Sequence, residues 1–218
     1  MFKNIAIITP KDSWFAPYAV KLAARSRAMG FKAGIFSDHR KTRKGYDVAF
    51  ILSYTRLADK KFLLRNRHNI VVHASRLPRG KGWSPLFWQI LEGKNRIPVT
   101  LFEAAEGMDA GDVYLRSAID YKGHELNAEL RNALAKTIIS LCIKFLAAHN
   151  NLKPKKQKGR STFYKRRTPE DSRLDINKSI KEQFDLLRVV DNEAFPAFFR
   201  FRGHRYTIKI FKDLQRKK

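Results

Sequence analysis

Two short stretches carry residue types suited to acid–base chemistry. His73 closes the apolar run Ile70–His73 and is followed by Ala-Ser-Arg-Leu-Pro and then Arg79-Gly80-Lys81-Gly82. Farther on, Asp109-Ala110-Gly111-Asp112 reads as a tight acidic turn. In an open α/β sheet, ligands collect at the carboxyl ends of strands, and glycines there let the backbone approach a ligand closely. A histidine at such a strand end is well placed for acid–base chemistry near neutral pH. Taken singly, each stretch also has a plain structural reading, a hydrogen-bonded histidine and an ordinary turn. Other chemistries find no signal. There is no GxGxxG after the first apolar run, no GxxxxGK[ST] and no GxSxG, so dinucleotide, P-loop and serine-hydrolase sites are not indicated. The six histidines show no metal-ligand spacing, and no metal is expected. The lone Cys142 forms no internal disulfide and reads as core packing.

These stretches must be positioned by the elements around them. Ile5–Thr9, Lys32–Phe36, Val48–Leu52 and Ile70–His73 read as buried strands. Helical patterns fall between them over 14–30 and Ala58–Asn66. Apolar strands alternating with helices predict an α/β fold around a mostly parallel sheet covered on both faces. Pro85–Gly93 is a further helix, with strands near Val99–Glu103 and Val113–Leu115. Over Glu125–His149, Leu126, Leu130, Leu134, Ile138, Leu141 and Phe145 form one apolar face, the core side of a long helix. A helix is expected over about 177–190, from Ile180, Phe184, Leu187 and Val190. A terminal β-hairpin around a Gly203-His204 turn follows. The organisation read from this is a catalytic domain 1–150, a basic linker 151–171 and a small C-terminal subdomain 172–218.

The chain has 218 residues, enough for a core without staples, and 44% are apolar. Its net charge is +25, of which residues 150–218 carry +12 from 20 basic and 8 acidic side chains. Such a field draws polyanions. The charge peaks in Lys153–Arg167, with eight basic residues and no acidic one, which reads first as a solvated linker and second as a polyanion contact helped by Phe163 and Tyr164. No run is long and apolar enough for a membrane span, and the start does not read as a signal peptide, so a soluble, cytoplasmic protein is expected.

In combination the motifs are more specific. His73-Ala-Ser-Arg-Leu-Pro, then Gly82, Pro85, Gly93, Val99-Thr100 and Asp109-x-Gly111-Asp112, resemble the tetrahydrofolate-dependent formyltransferases, whose pattern is Asn-x-His-x-Ser-Leu-Leu-Pro, a Gly and a Pro, Gly-Val-Thr and Asp-x-Gly. Tyr54 after the third strand fits a common family position, and Arg173-Leu174-Asp175-Ile176 looks like the start of the family's C-terminal region. The resemblance implies a Rossmann-like sheet and N10-formyltetrahydrofolate as formyl donor. It implies attack of a primary amine on the formyl carbon through a tetrahedral oxyanion. His73 would stabilise the oxyanion or relay the proton, and Asp109 would orient and charge-balance the imidazole. Tyr54, Leu77, Pro78, Phe102, Gly107 and Asp112 would contact the donor. Two departures stand out. Pro98 replaces the Gly before Val-Thr, and Val71 replaces the Asn that would donate to the formyl oxygen. Asn69 lies on the same strand face but two residues back, and Ser53, Ser75 or a water are the other substitutes.

Asp12-Ser-Trp-Phe-Ala-Pro-Tyr18 and Gly82-Trp-Ser-Pro85 look like the short amino-sugar N-formyltransferases, among them those of pseudaminic-acid-type pathways. The expected acceptor is therefore a nucleotide-linked amino sugar, met by Trp14, Tyr18, Arg79, Lys81 and Trp83. Two alternatives are kept: an enzyme acting on methionyl-tRNA, and a basic nucleic-acid-binding protein with catalysis lost at Val71. Nucleic acid is the less favoured partner.

Overall fold

The computed structural model describes residues 2–42 and 44–213. The chain starts with strand β1 (Asn4–Ile8), whose NIAII sequence buries four consecutive side chains, as a strand covered on both faces must. Helix α1 (Ala16–Ala28) has Pro17 in its first turn, where the missing N–H costs nothing, and leads to Gly30 at φ +89°. Strands β2 (Lys32–Phe36) and β3 (Val48–Ile51), helix α2 (Lys60–Arg65) and strand β4 (His68–His73) follow. Next come a two-residue strand β5 (Lys81–Gly82), helix α3 (Pro85–Leu91), and strands β6 (Arg96–Glu103) and β7 (Val113–Asp120).

Six of these strands form one sheet in the order β2-β1-β3-β4-β6-β7. The first four run parallel, while β6 and β7 are antiparallel to their neighbours. Both β6 and β7 are longer than expected, because they pair from Arg96–Asp120 up to Phe102–Val113. The strand order reverses between β1 and β3, which opens a crevice at the carboxyl ends of the parallel strands.

Helix α4 (Asn127–Ala148) closes one face of the sheet. Its Leu130, Leu134, Ile138, Leu141 and Phe145 pack with α1 against Ile5, Ile7, Phe50 and Ile70. Cys142 is fully buried in this layer, and burial pushes its thiol up into an unreactive range. On the other face Ala6, Ile8, Ala49 and Ile51 pack on Phe62 of α2. Alternate side chains of each strand thus serve opposite layers.

The C-terminal region holds strand β8 (Phe163–Tyr164), helix α5 (Phe184–Val189) and the antiparallel pair β9 (Ala197–Phe201) and β10 (His204–Ile208). Two expectations need correction here. The helix expected over 177–190 is confined to α5. Upstream, the Gln183 side chain bonds the backbone of Asp175 and Lys178, and Glu182 bonds Ser179, so side-chain contacts hold turns where a helix would need its own ladder. Ile180, counted as part of the apolar face, is exposed. The hairpin turn is Arg202-Gly203 rather than Gly203-His204. Both turn residues have positive φ, the geometry that two-residue hairpins require.

Candidate active site

A cleft of about 440 Å³ opens at the carboxyl ends of β3 and β4. His73, the last residue of β4, forms its floor, and the loops after β3 and β6 form its walls. His73 is 8% exposed. Its Nε2 lies 2.8 Å from the Gly80 carbonyl oxygen, which only accepts, so Nε2 carries the hydrogen. In the neutral ring Nδ1 is therefore the free basic nitrogen. It stands 3.8 Å from Asp109 Oδ1.

Asp109 is fixed from several directions. Its Oδ2 accepts the Gly82 backbone N–H at 2.9 Å. Its backbone sits at φ +50°, a conformation that costs an L-residue about 1–2 kcal/mol and is most accessible to Asp, Asn and Gly. Gly111 must be glycine, because a Cβ there would lie 1.6 Å from the Glu103 carbonyl oxygen. Gln157, from the basic stretch, donates through Nε2 to the carbonyls of Asp109 and Gly111, each at 2.8 Å. The same stretch pairs with β5 through β8, and Thr162 Oγ1 accepts the Gly80 N–H at 2.8 Å. A Cβ on Gly82 would lie 2.5 Å from the Tyr164 carbonyl oxygen, so this pairing requires the glycine too.

The opposite rim is the loop Ser53–Ala58, all of whose residues line the cleft. Buried His39 holds both of its ends, with Nδ1 2.8 Å from the Tyr54 hydroxyl and Nε2 3.0 Å from Asp59 Oδ2. Burial pushes the Tyr54 phenol up. The Phe62 N–H and His39 hold Asp59 below the usual carboxylate range. The Arg40 guanidinium and backbone N–H hold neighbouring Asp38 well below it.

Of the residues singled out in the sequence, the cleft brings together Trp14, Tyr54, His73, Trp83, Phe102, Gly107 and Asp109. Leu77 and Pro78 stand behind its wall. Leu77 packs on Phe102 and Val113, and the Leu77–Pro78 peptide is cis. Asp112 lies outside the lining, and its carbonyl accepts the Glu103 N–H. Tyr18 stacks on Phe15 and bonds Asn132 rather than entering the cleft. Arg79 is exposed on a turn, and Lys81 reaches over the Phe163 ring. Val71 lines the cleft, as does Ser53. Asn69 is buried and already bonded to Asn66 and Leu63, which removes it as a stand-in for the missing donor. Ser75 is buried with no bond to its hydroxyl among the described residues, outside the lining.

Sequence reasoning missed Arg131 and Gln157. Arg131 lines the cleft from α4, packs on the rings of Trp14 and Phe87, and pairs with Asp191 at 2.9 Å. As one polar residue beside an apolar stripe it had no distinguishing spacing. Among the described residues no group of three or more His, Cys, Asp or Glu side chains is placed to hold a metal, and no helix is long and apolar enough to cross a membrane.

Comparison with known proteins bears on the fold and the family. A methionyl-tRNA formyltransferase of Mycoplasma capricolum is 26% identical over 171 residues, 77% of this chain and 54% of the relative. The chain thus spans about half the length of the curated relatives it matches. HypX from Aquifex aeolicus, solved in complex with tetrahydrofolic acid, superposes with a TM-score of 0.79 at 17% identity, over 96% of this chain and 38% of that one. A 4-N formyltransferase from Francisella tularensis superposes with a TM-score of 0.69 at 17% identity, over 95% and 97% of the two chains. The α/β fold read from the strand pattern is the fold of these proteins. Residues 36–146, just over half of the chain and including both His73 and Asp109, match the Formyl transferase family, to which this chain belongs.

Proposed function

We propose that the protein transfers the formyl group of N10-formyltetrahydrofolate to the amine of a nucleotide-linked amino sugar. The observation that carries this reading is the His73–Asp109 pair at the floor of a cleft with one apolar wall and one tryptophan-bearing side. Leu57, Leu63, Val71, Phe102 and Met108 give the apolar wall, which suits a flat pterin ring, with Tyr54 and Gly107 beside it. When bound, this donor supplies the activated formyl carbon. Trp14 and Trp83 suit stacking on a sugar or base face, and Arg131 of α4 sets its guanidinium over the Trp14 ring.

Within this reading, His73 Nδ1 takes the proton that the attacking amine must lose. Asp109 stabilises the resulting imidazolium, which holds hydrogens on both nitrogens and would give the Nδ1 proton to the folate nitrogen as its bond to the formyl carbon breaks. Val71 brings no donor for the formyl oxygen. Ser53 Oγ and the indole N–H of Trp83 are polar groups of the cleft available for that task. Residues 1–150 form the catalytic unit of this proposal, with 151–171 the basic connection and 172–218 the C-terminal subdomain.

A second reading, transfer to methionyl-tRNA, is favoured by the names of the curated relatives and by the basic stretch 153–167, where Phe163 is exposed. Initial rates on a panel of nucleotide-linked amino sugars and on methionyl-tRNA, over a range of salt, separate the two. Saturable turnover of one sugar, unchanged by added RNA, is expected. Turnover of the charged tRNA alone, falling steeply with salt, would move the assignment to the second reading.

A further inference from the structure

We infer that Gln157 is a positioning residue for Asp109, and that the stretch from Lys155 to Tyr164 is the clamp that sets the geometry of the His73–Asp109 pair. The inference rests on the proposed reading only in that the pair is taken to be the reacting one.

The clamp touches both loops that build the pair. At its start, Lys155 exchanges two backbone hydrogen bonds with Val113, at 2.8 and 2.9 Å, which fixes the chain two residues before Gln157. Gln157 then crosses beneath the acidic turn and donates to the carbonyls of Asp109 and Gly111. At its end, Thr162 and Tyr164 receive the N–H groups of Lys81 and Trp83 on their backbone carbonyls, at 2.9 and 3.1 Å. The Thr162 hydroxyl receives the Gly80 N–H. Gly80 is the residue whose carbonyl holds His73 Nε2, and Gly82 is the residue whose N–H holds Asp109 Oδ2. One segment therefore braces the acceptor of the histidine at one end and the backbone of the aspartate at the other.

Gln157 suits this role by chemistry as well as place. Both groups it meets are carbonyl oxygens, so only the amide NH2 side of the glutamine can face them, and a carboxylate in its place would repel both. Its Oε1 is buried with no partner among the described residues, so the side chain is not held by a competing bond. Asp109 sits at positive φ, where the backbone relaxes unless its surroundings determine it. Gln157 touches neither ligand nor reacting atoms in this account; it acts through Asp109.

The test uses the full chain with Gln157→Ala and Gln157→Glu. Amide hydrogen exchange of Gly82, followed by NMR in the free protein, reads the Asp109 contact directly and needs no substrate. We expect Gly82 to exchange at least about tenfold faster in both variants, while the β1 amides keep their protection. In formyl transfer, kcat should fall about 10- to 100-fold with KM for the acceptor changed less than about threefold, and Gln157→Glu should be the worse variant. Unchanged Gly82 exchange would overturn the inference, as would a rate loss that only follows a fall in thermal midpoint. If the wild-type protein transfers no formyl group to any amine, the proposed function fails, and Gly82 exchange alone decides the role of Gln157.

Discussion

The two sides of the cleft are built in different ways. The rim Ser53–Ala58 is tied down at its ends by one buried histidine and between them by Arg56, paired with Asp38 at 2.8 Å, while Leu57 is 76% exposed. The floor around Asp109 is tied by contacts to backbone atoms, from Gly82 and from Gln157, and is packed so closely that Gly111 has no room for a methyl group. A loop held at a few points by side chains can shift to admit and cover a ligand. A turn held along its backbone keeps a carboxylate at a set distance from an imidazole. On the proposed reading, this difference suits the rim to substrate entry and the floor to chemistry.

The floor should give the largest effects. His73→Ala should lower kcat about 1000-fold, the range expected when a general base is lost, with little change in thermal midpoint; steady-state kinetics beside a melting curve checks both. Gly111→Ala forces backbone apart at a place with no side chain to yield, and should cost about 3 kcal/mol in denaturant unfolding. Asp109→Asn keeps an acceptor for the Gly82 N–H but removes the charge facing Nδ1, so a loss of about 10- to 100-fold in kcat is expected with the fold intact. The rim should respond more weakly and in another constant. His39→Ala frees both loop ends and should raise KM about three- to tenfold while kcat stays within about twofold. An equal fall in kcat on both sides would erase the distinction between them.

The smallest effect is a pH dependence at the rim. Asp38 is held well below the usual carboxylate range in the folded protein, chiefly by Arg40. A depressed folded value contributes stability above the unfolded value of about 4, lost as the pH falls toward the folded one. The gap in thermal midpoint between wild type and Asp38→Asn should therefore be full at neutral pH and shrink below about pH 4.

The sequence made the floor's chemistry legible and left its bracing hidden, for a physical reason. Strands β1 to β4 are continuous apolar runs because both faces are covered, and the histidine at the end of β4 and the Asp-x-Gly turn are chemically distinctive. The bracing depends on backbone bonds and one glutamine amide inside a stretch whose composition displays only its charge. Its basic side chains do lie largely exposed, as expected of such a run, yet its backbone pairs with β5 and Val113. The helix expected over 177–190 failed in the same way, because side-chain bonds from Gln183 and Glu182 outweighed an apolar spacing. Arg131 shows the limit from the other side. Its place in the cleft follows from how α4 crosses the sheet, which no local pattern contains.

If the His73–Asp109 pair performs formyl transfer, removing the imidazole must abolish it. Single-turnover release of tetrahydrofolate from N10-formyltetrahydrofolate, with an accepted amine, wild type beside His73→Ala, tests it most directly. Wild type should release tetrahydrofolate in step with formylation of the amine, and His73→Ala should lose nearly all of that release while the donor still binds. Equal release by wild type and His73→Ala would contradict it.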